Sequence, residues 1–416
     1  MKTIRIISIR NILSLSFFAV MISCQKDDDI GVSPSSIKII STASEPKQVE
    51  LVSSVSGTIL AYTSSGKLVV PVVKQEMFLL TNSGEVKIKF ALSDTLFQHV
   101  DAVPGLNGGF FLTATSNGFG YIMLYQIDDD GQILWTGSVS RTPIPVSAVN
   151  TSEPEIVISR DDNYMILYQS GSNIYRVWKG DAFGNMIYDK KFQSPSAVHD
   201  PSGLNYGQKY VNLLDANDSI VVAQGVLDTE YNGVRIENCF VRTTDQNLLK
   251  KDYSSHYDPD QMEQGVRLLY NNDKIVLFGS RADNRELQYY GDVFARVYST
   301  TCDLDNEILY PRAGGTPTTV SQVIDAPDGG WLLVGSNGQF PSGDLVSQNN
   351  PVLIKVRPDL TLDWQKVIPT GFPARGFDAE YLSDGTIGLV GLLKDRFKEN
   401  KLMYIHLTSF GDIINN

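Results

Sequence analysis

A tight polar turn followed by a short apolar run recurs along this chain, and this repeat limits the fold more than any other feature. Its clearest copy is Asp328-Gly329-Gly330 followed by Trp331-Leu332-Leu333-Val334-Gly335. The first residues after the seven turns are spaced 52, 54, 55, 55, 57 and 55 residues apart; they are Thr58, Phe110, Tyr164, Ser219, Lys274, Trp331 and Thr386. Self-similarity at such a period indicates a repeat architecture.

Each repeat has the pattern of four short strands. After the turn comes a continuous β-branched and aromatic run such as Ile275–Phe278, which is typical of a strand buried on both faces. A third strand, a second turn and a fourth strand follow, as in Tyr121–Tyr125, Asp129–Gly131 and Ile133–Trp135. Seven units of four antiparallel strands, without helical periodicity, predict one all-β domain, a seven-bladed β-propeller over residues 47–416.

The ends of the array leave two ways of closing the ring. Val49 can begin the first blade and Asp412–Ile414 can end the seventh as its fourth strand, so that two complete blades pack together. Alternatively, Ile37–Ile40 forms a strand along the outer edge of blade seven, beside Ile413. An uncovered edge strand invites pairing with other chains, which gives a covering strand a physical motive.

Residues 1–23 have the composition of a secretory signal peptide. Basic residues precede an apolar run, Ile12–Ile22, that is too short to span a bilayer. Cys24 comes after Ser23 at the end of this run, so the segment resembles a bacterial lipoprotein signal. The resemblance implies that the thiol of Cys24 is lipidated and that Cys24 becomes the new N-terminus. Several acyl chains on one residue give near-permanent anchoring.

The five residues after the cysteine, Gln25, Lys26, Asp27, Asp28 and Asp29, resemble the Lys-plus-acidic signal that marks Bacteroidota lipoproteins for export to the cell surface. A solvated charge run is the alternative interpretation. Ser, Pro and Thr are frequent from Ile30 to Pro46, which is typical of a flexible tether. Residues 24–46 are therefore expected to be lipidated cysteine, export signal and tether, and the protein is expected at the outer membrane, lipid-anchored and facing the cell exterior.

Charge and cysteine content exclude some classes of function. The chain has 47 acidic and 35 basic residues, and its formal charge of −12 becomes −15 without residues 1–23. No repeat contains a Lys/Arg cluster, so nucleic acid is not an expected partner. Cys239 lies in an apolar run and Cys302 in a polar turn, which predicts one buried thiol and one surface thiol in place of a disulfide.

The predicted loops divide the propeller into two faces. Strands alternate in direction, so the turns between strands one and two and between strands three and four share one face, called here the short-turn face. The other connections share the long-loop face. Within blades, the long connections are Leu227–Glu237, Arg281–Gly291, Asn337–Asn350 and Lys394–Asn400. Loops on a rigid scaffold usually carry binding residues, so the long-loop face is the predicted functional face.

Aromatic residues in these connections are the candidate binding residues. They are Tyr231, Tyr257, Tyr289, Tyr290, Phe340, Phe372 and Phe397. Aromatic side chains beside polar residues suit either sugar stacking or a protein interface. The alternative is that each side chain folds back over its own blade.

Sequence patterns for catalysis are weak. His99, His199, His256 and His406 lie in four different units, without metal-ligand spacing. No nucleophile elbow or phosphate loop occurs, so no catalytic residue, metal or cofactor is predicted. Carboxylates from separate blades could still meet as a glycosidase pair. Asp94-Thr95-Leu96 and Asp218-Ser219-Ile220 resemble the acceptor of Bacteroidota O-glycosylation, which implies modification at Thr95 and Ser219.

The Asp-Gly-Gly turns before apolar strands make residues 47–416 resemble propeller lipoproteins and, in a general way, kelch-like propellers. The kelch pattern has a glycine pair after the second strand, where this chain has single glycines such as Gly279 and Gly335. The resemblance implies a non-catalytic surface lipoprotein that serves as a binding or accessory subunit of an outer-membrane transport or assembly complex similar to SusC/SusD importers. The alternative function is a glycan-binding or glycan-cleaving surface propeller.

Overall fold

The structure is a computed structural model. It describes residues 36–41, 48–54, 56–64, 76–92, 97–116, 122–139, 154–171, 174–192, 207–217, 220–231, 234–245, 247–248, 250–255, 262–282, 291–338, 349–394 and 400–414. Within these ranges the chain forms strands joined by turns, with one 3₁₀ turn at Ala313–Gly315. No helix in the described ranges is both long enough and apolar enough to cross a membrane.

The strands follow one another along the chain in groups of four. The first half contains β1 (Ile37–Ser41), β2 (Gln48–Ser53), β3 (Ile59–Ser64), β4 (Met77–Leu80), β5 (Val86–Phe90), β6 (Phe97–Pro104), β7 (Phe110–Ser116), β8 (Ile122–Ile127), β9 (Ile133–Ser138), β10 (Glu155–Ile158), β11 (Tyr164–Gly171), β12 (Ile174–Gly180) and β13 (Met186–Phe192). The second half contains β14 (Gly207–Asn217), β15 (Ile220–Tyr231), β16 (Val234–Thr244), β17 (Lys250–Ser255), β18 (Met262–Asn271), β19 (Lys274–Ala282), β20 (Asp292–Tyr298), β21 (Leu304–Tyr310), β22 (Thr318–Asp325), β23 (Trp331–Asn337), β24 (Asn350–Val356), β25 (Leu362–Val367), β26 (Ala374–Tyr381), β27 (Ile387–Lys394) and β28 (Asn400–Leu407).

These strands form seven sheets of four antiparallel strands, which confirms the predicted seven-bladed β-propeller. Blades one to six are β2–β5, β6–β9, β10–β13, β14–β17, β18–β21 and β22–β25, each in chain order. Blade seven has the order β26-β27-β28-β1. The first strand of each blade is innermost, so β2, β6, β10, β14, β18, β22 and β26 surround the axis.

Seven apolar clusters hold neighbouring blades together, one at each junction. In β3, Ile59 and Ala61 pack in the cluster shared with blade seven, while Leu60 and Tyr62 pack in the cluster shared with blade two. Successive side chains of a strand point to opposite faces of its sheet. Because both faces of each blade are covered, the second strands are apolar at consecutive positions.

The N-terminal strand completes the last blade. β1 pairs with β28 in antiparallel register, with Ile37 opposite Ile405 and Ser41 opposite Leu402. The expectation that Asp412–Ile414 supplies the fourth strand is wrong, because Ile413 makes only an isolated bridge to Leu407. Ile37–Ser41, expected within the tether, therefore belongs to the propeller. The ring closes by sharing a sheet between the two ends of the chain.

Contacts across the junction of blades seven and one support this closure. Lys38 Nζ of β1 lies 3.4 Å from Glu85 Oε1 of blade one. The hydroxyl of Tyr404 in β28 donates to the Asn82 carbonyl oxygen at 2.6 Å. Gly84 adopts a φ of +79°, and a Cβ there would lie 2.1 Å from the Tyr404 ring, so this turn requires glycine.

The same five-residue turn recurs on the short-turn face. In eleven described turns, the first residue's N–H donates to the fifth residue's carbonyl oxygen and the fourth residue has positive φ. The fourth residue is glycine in eight of them. This arrangement is a hairpin loop in which a type I turn is followed by a left-handed residue. It explains why Gly and Asp punctuate the sequence at the blade period.

The prediction of a surface thiol at Cys302 is wrong. Cys302 occupies the left-handed position of its turn with a φ of 63°, and its side chain is 2 % exposed. The side chain packs in the cluster between blades four and five, which also contains Cys239. Cys239 is buried, as predicted, and neither Cys239 nor Cys302 forms a disulfide bond.

Blade four is longer than the others. β14, β15 and β16 have 11, 12 and 11 residues. The prediction of a loop over Leu227–Glu237 is wrong, since Leu227–Tyr231 lies in β15 and Val234–Glu237 in β16, with Tyr231 opposite Val234. Asn232-Gly233 between them is a strong sequence signal for a two-residue hairpin. We call Val226–Tyr231 and Val234–Cys239 the blade-four arm; it extends the long-loop face by about 15 Å.

Candidate functional site

One cavity of about 1110 Å³ lies on the axis of the ring, and the inner strands of all seven blades line it. Polar side chains enter it from β2, β6, β10, β14, β18, β22 and β26. Tyr62 from β3 and the turn residues Arg160 and Asp273 also reach its surface. This central channel is the candidate functional site because it brings all seven repeats to one place.

The channel is strongly acidic. Its ionisable lining includes two arginines, Arg160 and Arg267, and nine carboxylates, which are Glu50, Asp101, Glu155, Asp215, Glu263, Asp273, Asp325, Asp378 and Glu380. No lysine or histidine is among the residues described as lining it. Channel walls of this kind attract cations and repel anionic ligands.

Five of the inner strands have a polar residue at the same place, fourth from the strand's end. These residues are Glu50, Asp101, Glu155, Gln322 and Asp378. In blade five the corresponding polar residue is Arg267, which is fifth from the end of β18. The repeat therefore places a ring of polar groups around the channel, one layer inside the short-turn face.

Two members of this ring connect neighbouring blades. Asp378 Oδ2 accepts the Leu51 N–H of blade one at 2.8 Å, and its Oδ1 accepts the Ala379 N–H at 2.7 Å. Asp101 Oδ2 accepts the Ile156 N–H of blade three at 2.7 Å, and its Oδ1 accepts the Ala102 N–H at 2.8 Å. The inner edge of a blade has no further strand, so side chains satisfy these backbone donors.

Burial is the largest influence on Asp378. It raises the pKa of this carboxyl well above its ordinary value, the Leu51 N–H acts in the opposite sense, and the charge of Glu50 raises it further. The side chain is 3 % exposed. Asp378 is therefore placed to bind backbone amides across the closing junction, and it is poorly placed to exchange protons with solvent.

Tyr62 connects two ring carboxylates. Its hydroxyl donates a short hydrogen bond to Glu50 Oε2 and lies 3.5 Å from Asp101 Oδ1. Burial, followed by the charges of Glu50 and Asp101, raises the pKa of Tyr62 well above its ordinary value. The phenol is thus a neutral donor that bridges blades one and two.

Glu380 lies nearer the short-turn end of β26 and also lines the channel. Burial raises its pKa from 4.5 to about 7, the charge of Arg267 acts to lower it, and the charge of Asp325 acts to raise it. A carboxyl with this pKa changes charge near neutral pH, so the channel charge depends on pH in the physiological range.

This shift predicts an unusual pH dependence of stability. The folded-state pKa of Glu380 lies above its ordinary value, so its contribution is fully present below about pH 4.5 and is lost as pH rises through about 7. Asp378 acts in the same direction. The free energy of unfolding from urea titrations is expected to increase on the order of 2 kcal/mol between pH 8 and pH 5.

Glu380→Gln should remove most of this increase and raise stability at pH 8, because a neutral amide replaces a half-buried carboxylate whose charged form is disfavoured in the folded state. Asp130→Asn, which changes an exposed turn carboxylate, is the matched control. It should leave the dependence of the unfolding free energy on pH unchanged. A wild-type chain that loses stability from pH 8 to pH 5, or equal slopes in wild type and Glu380→Gln, would contradict the assignment.

A buried ionic network crosses blade five from the channel outward. Glu263 of β18 accepts two hydrogen bonds from the Arg296 guanidinium, one of them at 2.9 Å, and both side chains are fully buried. Arg296 Nε donates to Glu307 Oε2 at 2.6 Å, and Arg281 Nη1 donates to Glu307 Oε1 at 2.9 Å. Burial acts to lower the pKa of Arg296, but the hydrogen bond and charge of Glu263 raise it overall. All four strands of the blade thus contribute one charged side chain.

The structure describes two of the seven predicted binding aromatics. Phe372 is 45 % exposed on the long-loop face, between β25 and β26. Tyr231 ends β15 at the tip of the blade-four arm. The remaining five lie outside the described residues, as do Cys24, the export signal Gln25–Asp29, and the glycosylation candidates Thr95 and Ser219. Phe372 lies between blades six and seven and Tyr231 lies within blade four, so the chain places them in different parts of the ring.

Metal-ligand geometry gives no further candidates. Within the described ranges, no group of three or more His, Cys, Asp or Glu residues is placed to hold a metal ion. His406 lies half-buried in β28, with Nε2 2.7 Å from Thr386 Oγ1. His99 lies in β6, while His199 and His256 fall outside the described residues.

Sequence reasoning missed the residues that the channel brings together. A usable signal was present, because Glu50, Asp101, Glu155, Gln322 and Asp378 recur at nearly the blade period, each shortly before a turn. From sequence alone, a carboxylate near the end of a strand is expected to be exposed to solvent. In the assembled ring the first strand of each blade lines the channel, so this carboxylate faces the channel instead. Its role follows from the neighbouring blade, which local sequence does not specify.

Known proteins have only distant likenesses to this chain. No protein-family model and no curated protein matches this chain. Among solved structures, it is similar to a BBS1N–ARL6DN complex at 8 % identity, covering 89 % of this chain and 94 % of the other with a TM-score of 0.47. It is similar to a protein of unknown function from Dyadobacter fermentans at 9 % identity, covering 90 % and 99 %, with a TM-score of 0.47. It is similar to the NanB sialidase from Streptococcus pneumoniae at 13 % identity, covering 93 % and 72 %, with a TM-score of 0.44. At these identities and TM-scores the likeness assigns no function to this chain.

Proposed function

We propose that this chain is a non-catalytic surface lipoprotein that serves as a binding or accessory subunit of an outer-membrane transport or assembly complex, similar to the complexes of SusC/SusD importers. Lipid on Cys24 would anchor it, and the long-loop face would contact the partner. The main support for a non-catalytic role is that channel carboxylates form hydrogen bonds that connect neighbouring blades.

Asp378 and Asp101 show this use. In each, both oxygens of the carboxyl group accept backbone N–H groups, one from the same strand and one from the next blade. A general base needs a free oxygen within reach of the proton that it removes. Carboxylates committed to four backbone donors support a structural role for this part of the channel.

The long-loop face supports the binding part of the proposal. It carries the exposed Phe372 and the blade-four arm on a closed, rigid ring. Binding residues are commonly placed on such projections from rigid scaffolds. An exposed aromatic side chain with polar residues beside it suits a protein interface.

Photo-cross-linking in living cells tests this function. A photoreactive phenylalanine analogue at Phe372 should form an adduct with an integral outer-membrane protein, identified by mass spectrometry. The same analogue at Phe410, which is 66 % exposed on the opposite face, is the matched control and should not. Cys24→Ala should abolish both membrane attachment and the adduct. Absence of a protein adduct at Phe372 in anchored wild-type protein would contradict the proposal.

The second candidate is a glycan-cleaving propeller, and Glu380 favours it. A pKa of about 7 in a channel is within the range that suits a general acid near neutral pH. Wild-type protein would then release reducing sugar from surface glycans, and Glu380→Gln would lose that activity. Equal release by wild type, Glu380→Gln and buffer would leave the binding function as the supported reading.

A further inference from the structure

The direction of β1 fixes the face from which the N-terminal segment leaves the domain. β28 runs from Asn400 toward the turn at 408–412, which lies on the short-turn face. β1 runs antiparallel to it, with Ile37 opposite Ile405 near that turn and Ser41 opposite Leu402 farther from it. The chain before Ile37 therefore meets the propeller at the short-turn face, on the outer edge of blade seven.

Three contacts hold the start of β1 in this place. Lys38 pairs with Glu85, which closes the 81–85 turn of blade one on the same face. Ile37 packs against the cluster between blades six and seven, and Ile40 packs against the cluster between blades seven and one. Because β1 contacts both junctions, its exit point is set by the ring itself.

The length of the preceding segment limits where an anchor at Cys24 can lie. Cys24 is thirteen residues before Ile37. A segment of this length reaches at most about 45 Å. For the long-loop face to approach the membrane, the segment would have to run back along blade seven, whose third strand alone is about 27 Å long. That path would take up more than half of the segment's full reach, whereas the short-turn face lies directly at its end.

We infer that the short-turn face is the membrane-facing side of the propeller and that the long-loop face points away from the membrane. This inference rests on the lipid anchor of the proposed function and deepens it. The partner recognised by the long-loop face must then present a surface that stands clear of the bilayer, such as an extracellular loop or soluble domain of an outer-membrane protein. The lipid-facing wall of a membrane protein would not fit.

Exposed aromatic residues on the near face agree with this orientation. Phe183 and Phe410 occupy the same position in the turns 181–185 and 408–412, and they are 67 % and 66 % exposed. Phenylalanine, like Trp and Leu, is common on the apolar surfaces of segments that lie at the boundary of headgroups and acyl chains. Phe410 follows β28 directly, beside the point where the anchor segment leaves.

Energy transfer from single labelled positions to the membrane tests the orientation. Phe410→Cys and Phe372→Cys place a dye on the short-turn and long-loop faces, and both replace an exposed phenylalanine near blade seven. Cys239 and Cys302 are buried and should not react with the dye. The full lipidated chain would be purified from membranes and reconstituted into phosphatidylethanolamine and phosphatidylglycerol vesicles that contain an acceptor lipid.

Transfer efficiency from position 410 is expected to be about twofold or more above that from position 372, because the two faces differ in height by about one strand length. Equal transfer, or greater transfer from position 372, in vesicle-bound protein would overturn the orientation and leave the anchor intact. Failure of wild-type protein to float with vesicles, at the level of Cys24→Ala, would overturn the anchor and the orientation together.

Discussion

A mature chain that begins at Gln48 is expected to melt about 5 °C or more below one that begins at Ser36. The first lacks β1, while the second lacks only the segment before it. β1 provides the fourth strand of blade seven and part of the packing at two junctions. Removing it deletes one antiparallel ladder and exposes the edge of β28.

The size of the expected destabilisation follows from the apolar packing that is lost with β1. Ile37 and Ile40 pack against two junction clusters, and Ser36 is 5 % exposed. Loss of two partly buried isoleucines and one ladder should cost about 3–5 kcal/mol. The newly exposed edge of β28 is apolar, with Met403 and Ile405 fully buried in the intact protein, so the shorter chain should also aggregate on heating.

Differential scanning calorimetry on the two chains measures this directly. The chain beginning at Ser36 serves as the control and should match the full mature chain. Coincident transitions for the chains that begin at Gln48 and at Ser36 would show that β1 contributes nothing to closure.

Arg296→Met is expected to destabilise the fold by about 3–5 kcal/mol. The substitution removes a guanidinium that forms two hydrogen bonds with the fully buried carboxylate of Glu263. A buried charge that loses its partner is far more costly than the loss of an exposed ion pair. The expected readout is the free energy of unfolding from urea titration at pH 7.

Two further variants separate charge from packing. Arg296→Met with Glu263→Leu removes both charges of the pair and should recover much of the loss, since a buried ion pair often contributes little beyond an apolar pair. Arg357→Met disrupts an exposed pair with Asp363 and should cost less than about 1 kcal/mol. A loss for Arg296→Met no larger than that for Arg357→Met would contradict the network as described.

The blade period was readable from sequence because the turn chemistry is local. Gly57, Gly385 and Gly411 each occupy the left-handed position of the same turn, and glycine is the residue that accepts that backbone conformation most readily. The apolar second strands were readable because both faces of every blade are covered. These two patterns were sufficient to predict seven blades of four strands.

Ring closure depended on a contact between residues that are far apart in the chain. Ile37 and Ile405 are neighbours in one sheet, yet neither segment specifies the other. Ile413 could equally have continued a strand by its composition. The pairing is favoured because the outer edge of β28 would otherwise remain uncovered, and that property belongs to the assembled ring.

The channel was hidden for a related reason. In the sequence, Asp378 is one of several carboxylates near the end of a strand. In the structure it accepts the Leu51 N–H of blade one, which is formed by the other end of the chain. The blade-four arm is a simpler case, because Asn232-Gly233 is a local hairpin signal and the residues on either side of it extend β15 and β16.

The measurement that most directly tests the central claim, a ring closed by its N-terminal strand, is disulfide trapping of the register between β1 and β28. Ile39 lies opposite Met403. Directly opposed residues in antiparallel strands have Cα atoms about 4.5–5.5 Å apart, which a disulfide can span. Ile39→Cys with Met403→Cys, in a mature chain carrying Cys24→Ala, should oxidise readily, and non-reducing mass spectrometry should find the two peptides joined. Ile39→Cys with Leu402→Cys shifts the register by one residue and turns the second thiol to the other face, so it should not cross-link. Equal cross-linking of both pairs, or none in the first, would contradict closure by β1.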